Sequence, residues 1–70
     1  MDLRDLRKRA GLKVKTVAAA LGVSKGTIDH YEQGTRTPGI ANVLLLAELY
    51  NSNERDVIDA ILKSKAKRQK

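Results

Sequence analysis

Cysteine, phenylalanine and tryptophan are absent from this 70-residue chain, and each absence narrows what it does. Without cysteine there is no disulfide staple and no thiolate for metal or nucleophilic chemistry. Without Phe and Trp the interior must be aliphatic, with Tyr31 and Tyr50 as the only aromatics. One histidine, no paired carboxylates beside a nucleophile and no glycine-rich phosphate loop exclude the usual enzyme constellations. No catalytic residue, cofactor, metal or small-molecule ligand is therefore expected. No apolar run nears the length of a membrane span, and the second residue is already charged, which argues against a signal peptide. The expectation is a soluble, intracellular, all-α domain.

The formal net charge is +6, but its distribution matters more than its total. Residues 1–40 carry +4, residues 41–62 carry −3, and residues 63–70 carry +5. Much of the basicity thus lies in the run from Lys63 to Lys70, which reads as a basic tail beyond a domain of residues 1–62. A basic run is by itself a weak pointer to a polyanion, because a solvated helix end looks the same.

Hydrophobic spacing marks five helices. Leu3, Leu6 and Ala10 recur at helical intervals before Gly11, and Val17, Ala18 and Leu21 do so before Gly22. Ser24 is a good N-cap for a third helix carrying Ile28 and Tyr31 and ending at Gly34. Thr35-Arg36-Thr37-Pro38-Gly39 has loop chemistry. Ile40 to Tyr50 is strongly apolar, and Asn53 with Asp56 announces a fifth helix with Val57, Ile58, Ile61 and Leu62 as its apolar face.

Helices two and three are separated only by Gly22-Val23. A short glycine-containing turn between two short helices is the pattern of a helix-turn-helix, here about residues 14–33. Ala18 must be small where the third helix crosses the second. Val23 and Ile28 fill the gap between them, and Gly22 supplies a positive φ.

With these residues in place, the chain resembles the Cro/C1-type (XRE) helix-turn-helix family over about residues 3–53. The likeness is carried by Leu3-Arg4-x-Leu6-Arg7, Gly11-Leu12, Val17-Ala18-x-x-Leu21-Gly22-Val23-Ser24, Thr27-Ile28, Tyr31-Glu32-x-Gly34, Arg36-x-Pro38 and Leu46-Ala47. The resemblance implies a compact five-helix bundle of the phage-repressor type. It implies a recognition helix in the major groove and a two-fold dimer on a palindromic operator. It also implies a transcriptional regulator, with repression favoured and activation left open, working on DNA in the cytoplasm of a bacterial or phage-infected cell.

The resemblance further assigns roles. Arg7 and Glu32 fall where the family has a partly buried ion pair tying helix one to helix three. Ser24, Lys25, Gly26, Thr27, Asp29 and His30 are the expected base-reading positions, since Val23, Ile28 and Tyr31 face inward. Lys25 suits guanine O6/N7, Asp29 suits cytosine N4 or repels wrong sequences, and His30 is expected to donate to a base or a phosphate. A solvated surface histidine is the plain alternative. Phosphates are expected at Lys13, Lys15, Gln33, Thr35, Arg36, Thr37 and Asn42, with the N-terminus of the second helix as a natural anion site. The sequence departs from the family at Lys13-Val14, where Ser-Gln or Asn-Gln is frequent, so the contact that Gln makes must come from elsewhere.

The second half points to self-association. A helix cannot bury Leu44, Leu45 and Leu46 together in so small a bundle. Leu45, Val57, Ile58, Ile61 and Leu62 are the expected dimer surface, unless helix five merely caps the monomer. Two other functions compete with operator binding. One is a small regulator working through protein contacts, antitoxin-like or bridging as a coactivator does. The other is non-specific binding to nucleic acid or a membrane surface through residues 63–70. With so short a chain, regulation is expected through concentration, dimerisation, proteolysis or an antagonist protein, unless the chain is an excised DNA-binding domain of something longer.

Overall fold

Asp2 starts the fold. In the computed structural model, which describes residues 1–68, its carboxylate accepts from the Asp5 N–H at 2.9 Å, and the Asp5 carboxylate accepts from the Asp2 N–H at 3.2 Å. This reciprocal capping box opens α1 (Leu3–Arg9). The chain continues through α2 (Val14–Leu21), α3 (Lys25–Gln33), α4 (Ile40–Leu49) and α5 (Glu54–Arg68), with no strand among the described residues. The all-α, five-helix architecture expected from the sequence is the one adopted.

The first four helices end alike. The backbone turns left-handed at Gly11, Gly22, Gly34 and Asn51, and two backbone hydrogen bonds then close a Schellman motif. After α2, for example, Val23 N–H donates to the Ala18 carbonyl at 3.0 Å and Gly22 N–H to that of Ala19 at 3.3 Å. At Gly22 (φ 70°) the need for glycine is torsional alone, because a Cβ there would meet nothing within 4 Å. Gly34 (φ 81°) is constrained twice. A Cβ on it would lie 2.5 Å from the Ser64 carbonyl oxygen and 2.7 Å from the Lys65 Cα. The end of α3 therefore rests directly on the backbone of α5.

The core draws on every helix: Leu3 and Leu6, Val17 and Ala18, Ile28 and Tyr31, Leu46 and Ala47, then Val57, Ala60 and Ile61, with Tyr50 at the end of α4. Each large aliphatic side chain buried here contributes about 1.5–3 kcal/mol. Ala18, Ala47 and Ala60 leave room for neighbouring helices to approach closely.

α5 departs from expectation in two ways. Its inward face is Val57, Ala60, Ile61 and Ser64, all buried, whereas Ile58 and Leu62 are 50% and 60% exposed. Helical periodicity explains this: counting from Val57, the core stripe falls at the third, fourth and seventh positions on, not the first and fifth. Val57 and Ile61 therefore fill the monomer core and are withdrawn from the expected dimer surface.

The second departure is the boundary at residue 62. α5 continues to Arg68, and residues 63–68 belong to the domain rather than to a tail. Ser64 is fully buried, and its hydroxyl accepts from the Leu3 N–H at 3.2 Å, one of the donors that α1 cannot satisfy internally. The Lys67 ammonium pairs with the Asp2 carboxylate. Gln69 and Lys70, the rest of the expected tail, lie outside the described residues.

Candidate nucleic-acid interface

The geometry of α3 is set from behind. Arg7 Nε donates to Glu32 Oε2 at 2.6 Å, its Nη2 donates to Oε1 at 3.2 Å, and its Nη1 donates to the Leu12 carbonyl at 3.1 Å. Both side chains are nearly buried, 12% and 10% exposed. The hydrogen bond that it donates to Glu32 raises the guanidinium pKa further, outweighing the opposing effect of burial. The pair is bidentate, the geometry in which an Arg–carboxylate contact is strongest. It joins α1 to the last turn of α3.

Ile28 and Tyr31 anchor α3 in the core, which turns Lys25, Gly26, Asp29, His30 and Gln33 to the exterior. Ser24 caps the helix: its Oγ accepts from the Thr27 N–H at 3.2 Å and shares a hydrogen bond with the Thr27 hydroxyl at 3.1 Å. Thr27 is half-buried. Asp29 and Gln33 also line a polar cleft with Arg4 and Arg7 of α1, so both sit on the α1 flank of α3. Arg4 was not among the expected site residues, although it precedes Arg7 by one helical turn. His30 is exposed on the outer side, one turn beyond the bare Gly26. Its Nδ1 lies 2.7 Å from the Thr35 hydroxyl.

The expected phosphate-contacting positions divide. α2 and α4 begin at Lys13 and Gly39 with no side-chain cap. Asp2, Ser24 and Asn53, by contrast, cap α1, α3 and α5, Asn53 through Oδ1 accepting from the Asp56 N–H at 2.8 Å. The first N–H groups of α2 and α4 are thus left for an external acceptor. Lys13, Lys15, Arg36 and Thr37 are exposed. Asn42 is half-buried and donates one amide N–H to the Tyr31 hydroxyl at 3.3 Å, keeping its second. Thr35 fits the expectation poorly, since its backbone N–H and its hydroxyl both donate to the His30 carbonyl, at 3.0 and 3.2 Å. Val14 is half-buried and packs on the core. The residue that stands in place of the frequent Gln is thus a packing residue.

A second surface lies between α4 and α5. Ile40, Leu44, Ile58 and Leu62 line an apolar groove over Val43 and Ile61, with Thr37 and Pro38 among its lining and Glu54 and Lys65 as its charged members. Ile40 is 83% exposed. Leu45 is partly exposed, as expected, but does not line this groove. The sequence signal for Ile40 and Leu44 was their spacing of four, which matches that of Ile58 and Leu62 and sets two apolar ridges side by side.

Among the described residues, no group of acidic or histidine side chains is placed to hold a metal ion, and no helix is long and apolar enough to cross a membrane.

Comparison with known proteins agrees with this architecture. A family model described as a helix-turn-helix domain matches residues 2–61. The transcriptional repressor RstR of the cryptic phage CTXphi, from Vibrio cholerae, is 39% identical over 70 residues, covering 90% of this chain and 63% of that protein. The HTH-type transcriptional regulator AnsR of Bacillus subtilis (strain 168) is 34% identical over 50 residues, covering 71% of this chain and 43% of that protein. The chain thus spans about half to two-thirds of the length of these relatives, and no solved structure matches it. The resemblance to Cro/C1-type domains is borne out. The chain belongs to the helix-turn-helix domain family, whose model spans most of its length.

Proposed function

We propose that this domain binds double-stranded DNA as a transcriptional repressor, with α3 in the major groove and a second copy related by two-fold symmetry. The observation that carries the reading is the match between capping and expected contact. The two helices whose N-termini lack a side-chain cap, α2 and α4, are the two expected from the sequence to meet phosphates. The exposed side of α3 is held by the Arg7–Glu32 pair. Lys25 and His30 are offered to base edges there, with Gly26 leaving the backbone open to a close approach. Lys13, Lys15, Arg36 and Thr37 position the domain on the backbone, and Asp29 and Gln33 serve the α1 flank.

Dimerisation is assigned to the groove of Ile40, Leu44, Ile58 and Leu62, because a contiguous apolar surface in a charged protein favours burial against another surface. Operator occupation in the cytoplasm then accounts for repression. Selection of bound sites from random DNA at moderate salt tests the reading. A palindrome with half-sites about ten base pairs apart is expected. Recovery of no motif would overturn it.

The same groove supports a second reading, in which the domain works through contact with another protein, antitoxin-like or bridging. Lys25→Ala separates the two: it impairs a DNA reader and leaves a bridging module unaffected. Binding driven by the C-terminal lysines needs a substitution test, because deleting residues 63–70 would remove Ser64 and Lys67 from the fold. Lys63→Gln with Lys65→Gln abolishes such binding, but reduces only affinity and salt dependence if α3 reads sequence.

A further inference from the structure

A short hydrogen-bond chain fixes the chemistry of His30. Its Nδ1 lies 2.7 Å from Thr35 Oγ1, and the same Oγ1 lies 3.2 Å from the His30 carbonyl oxygen. A carbonyl oxygen can only accept, so the single hydroxyl proton of Thr35 belongs in the second contact. The first contact then needs a proton from the ring, which places it on Nδ1. In the reverse arrangement, with the hydroxyl donating to Nδ1, the 3.2 Å contact between the two oxygens carries no hydrogen bond. A proton on Nδ1 satisfies both contacts at once, the hydroxyl joining the Thr35 and Arg36 N–H groups on the His30 carbonyl. In the neutral ring Nε2 then carries a lone pair and no hydrogen.

This reverses the donor role expected of His30 from the sequence. A bare Nε2 is repelled by phosphate oxygens and by the acceptor edge of guanine. In the major groove its complement is an exocyclic amine, adenine N6 or cytosine N4. The side chain stands on the exposed side of α3 one turn after Gly26, where no Cβ crowds it. Thr35 lies outside α3 and is anchored by its own N–H to the His30 carbonyl, so the ring's partner is held by the backbone.

Resting on the operator reading above, we propose that Thr35 is a positioning residue for sequence recognition. It holds His30 in the tautomer whose Nε2 accepts a hydrogen bond from a base amine in the major groove, and it is not itself a phosphate contact.

The chain has one histidine, so ring nitrogen-15 spectra need no assignment. At about pH 8, above the ordinary imidazole range, the free protein is expected to show a protonated Nδ1 and an unprotonated Nε2. Thr35→Val should lose this order, and Thr35→Ser should restore it. Site selection supplies the second arm, at the base pair whose preference His30→Ala removes. Wild type is expected to favour adenine or cytosine on one strand there, the base recovered identifying which amine is read. Thr35→Val should lower that preference about fivefold, near the low end for a base contact, and leave the other positions unchanged. A proton on Nε2 in the wild-type ring overturns the proposal, as does a preference at that pair indifferent to Thr35→Val. Loss of any motif with the ring in the expected tautomer overturns the operator reading, and base recognition by His30 with it, while the Thr35-held ring stands.

Discussion

Arg7 and Glu32 meet through two parallel hydrogen bonds, although twenty-five residues separate them in sequence. The contact ties the last turn of α3 to α1 and reinforces the orientation that burial of Ile28 and Tyr31 gives the helix. Because both groups are nearly buried, removing one strands the other's charge in a poorly solvated place.

Glu32→Ala is accordingly expected to cost about 3 kcal/mol, the low end for breaking a buried pair. Arg7→Met combined with Glu32→Leu should recover most of that loss by replacing the pair with packed apolar groups. Urea denaturation of the single and double variants measures both. A double variant no more stable than the single would show that the Arg7 bond to the Leu12 carbonyl, rather than the ion pair, carries the stability.

The two left-handed glycines flanking α3 predict unequal outcomes. Gly22→Ala meets open space and should cost only the torsional strain of a left-handed alanine, about 1–2 kcal/mol. Gly34→Ala adds a collision with the α5 backbone at Ser64 and Lys65, where no flexible side chain can yield. Its loss should exceed that of Gly22→Ala by at least ~1 kcal/mol, which for a domain of this size is a further 4–8 °C in Tm. Thermal unfolding of the pair provides the comparison, and equal melting temperatures would refute the close approach.

These two glycines also show what the sequence could reveal. Both were legible as helix ends, because a positive φ after a run of helical spacing is a local requirement. That Gly34 touches α5 was not legible, since the contact joins positions thirty residues apart. Ser64 is the same case. A serine among lysines reads as solvated, and only the return of α5 to the N-terminus makes it the buried acceptor for Leu3. The five helices, the glycine turn and the Arg7–Glu32 pair were accessible from spacing and resemblance. The inward face of α5 was misjudged because Ile58 and Leu62 are more hydrophobic than Ala60 and Ser64. Position on the helix, not hydrophobicity, decides burial there.

Asp2 predicts how the closure responds to acid. Burial pushes its carboxyl pKa up, but hydrogen bonds from Lys67 and the Asp5 N–H outweigh this and hold it below the usual value. A carboxyl depressed in the folded state contributes stability that is fully present above its unfolded pKa of about 3.9. That contribution disappears as pH falls through the lower folded value. The urea midpoint should therefore be flat in this respect above about pH 5 and decline below about pH 4. Asp2→Asn retains a capping side chain but removes the charge, so it should be less stable at neutral pH and show a shallower acid decline. An identical acid profile in Asp2→Asn would place the acid sensitivity in another carboxylate.

On the proposed operator reading, Lys25 and Arg36 separate base reading from phosphate clamping. Lys25 is exposed on the first turn of α3, and Arg36 follows α3 in the loop whose N–H groups fold back on the His30 carbonyl. Lys25→Ala should cost on the order of 1–3 kcal/mol and relax preference at one base pair, because it removes a donor to a base edge. Arg36→Ala should weaken binding evenly across sequences and reduce the salt dependence of log K by about one phosphate contact. Titration of the selected site and of single-base variants at two or more salt concentrations distinguishes the effects. Neither change should alter the melting temperature appreciably, since no hydrogen bond or ion pair of either side chain appears among the described contacts that hold the bundle. If Arg36→Ala changed base preference sharply, the loop after α3 would have to enter the groove itself, and Lys25 would lose its place as the first reading residue.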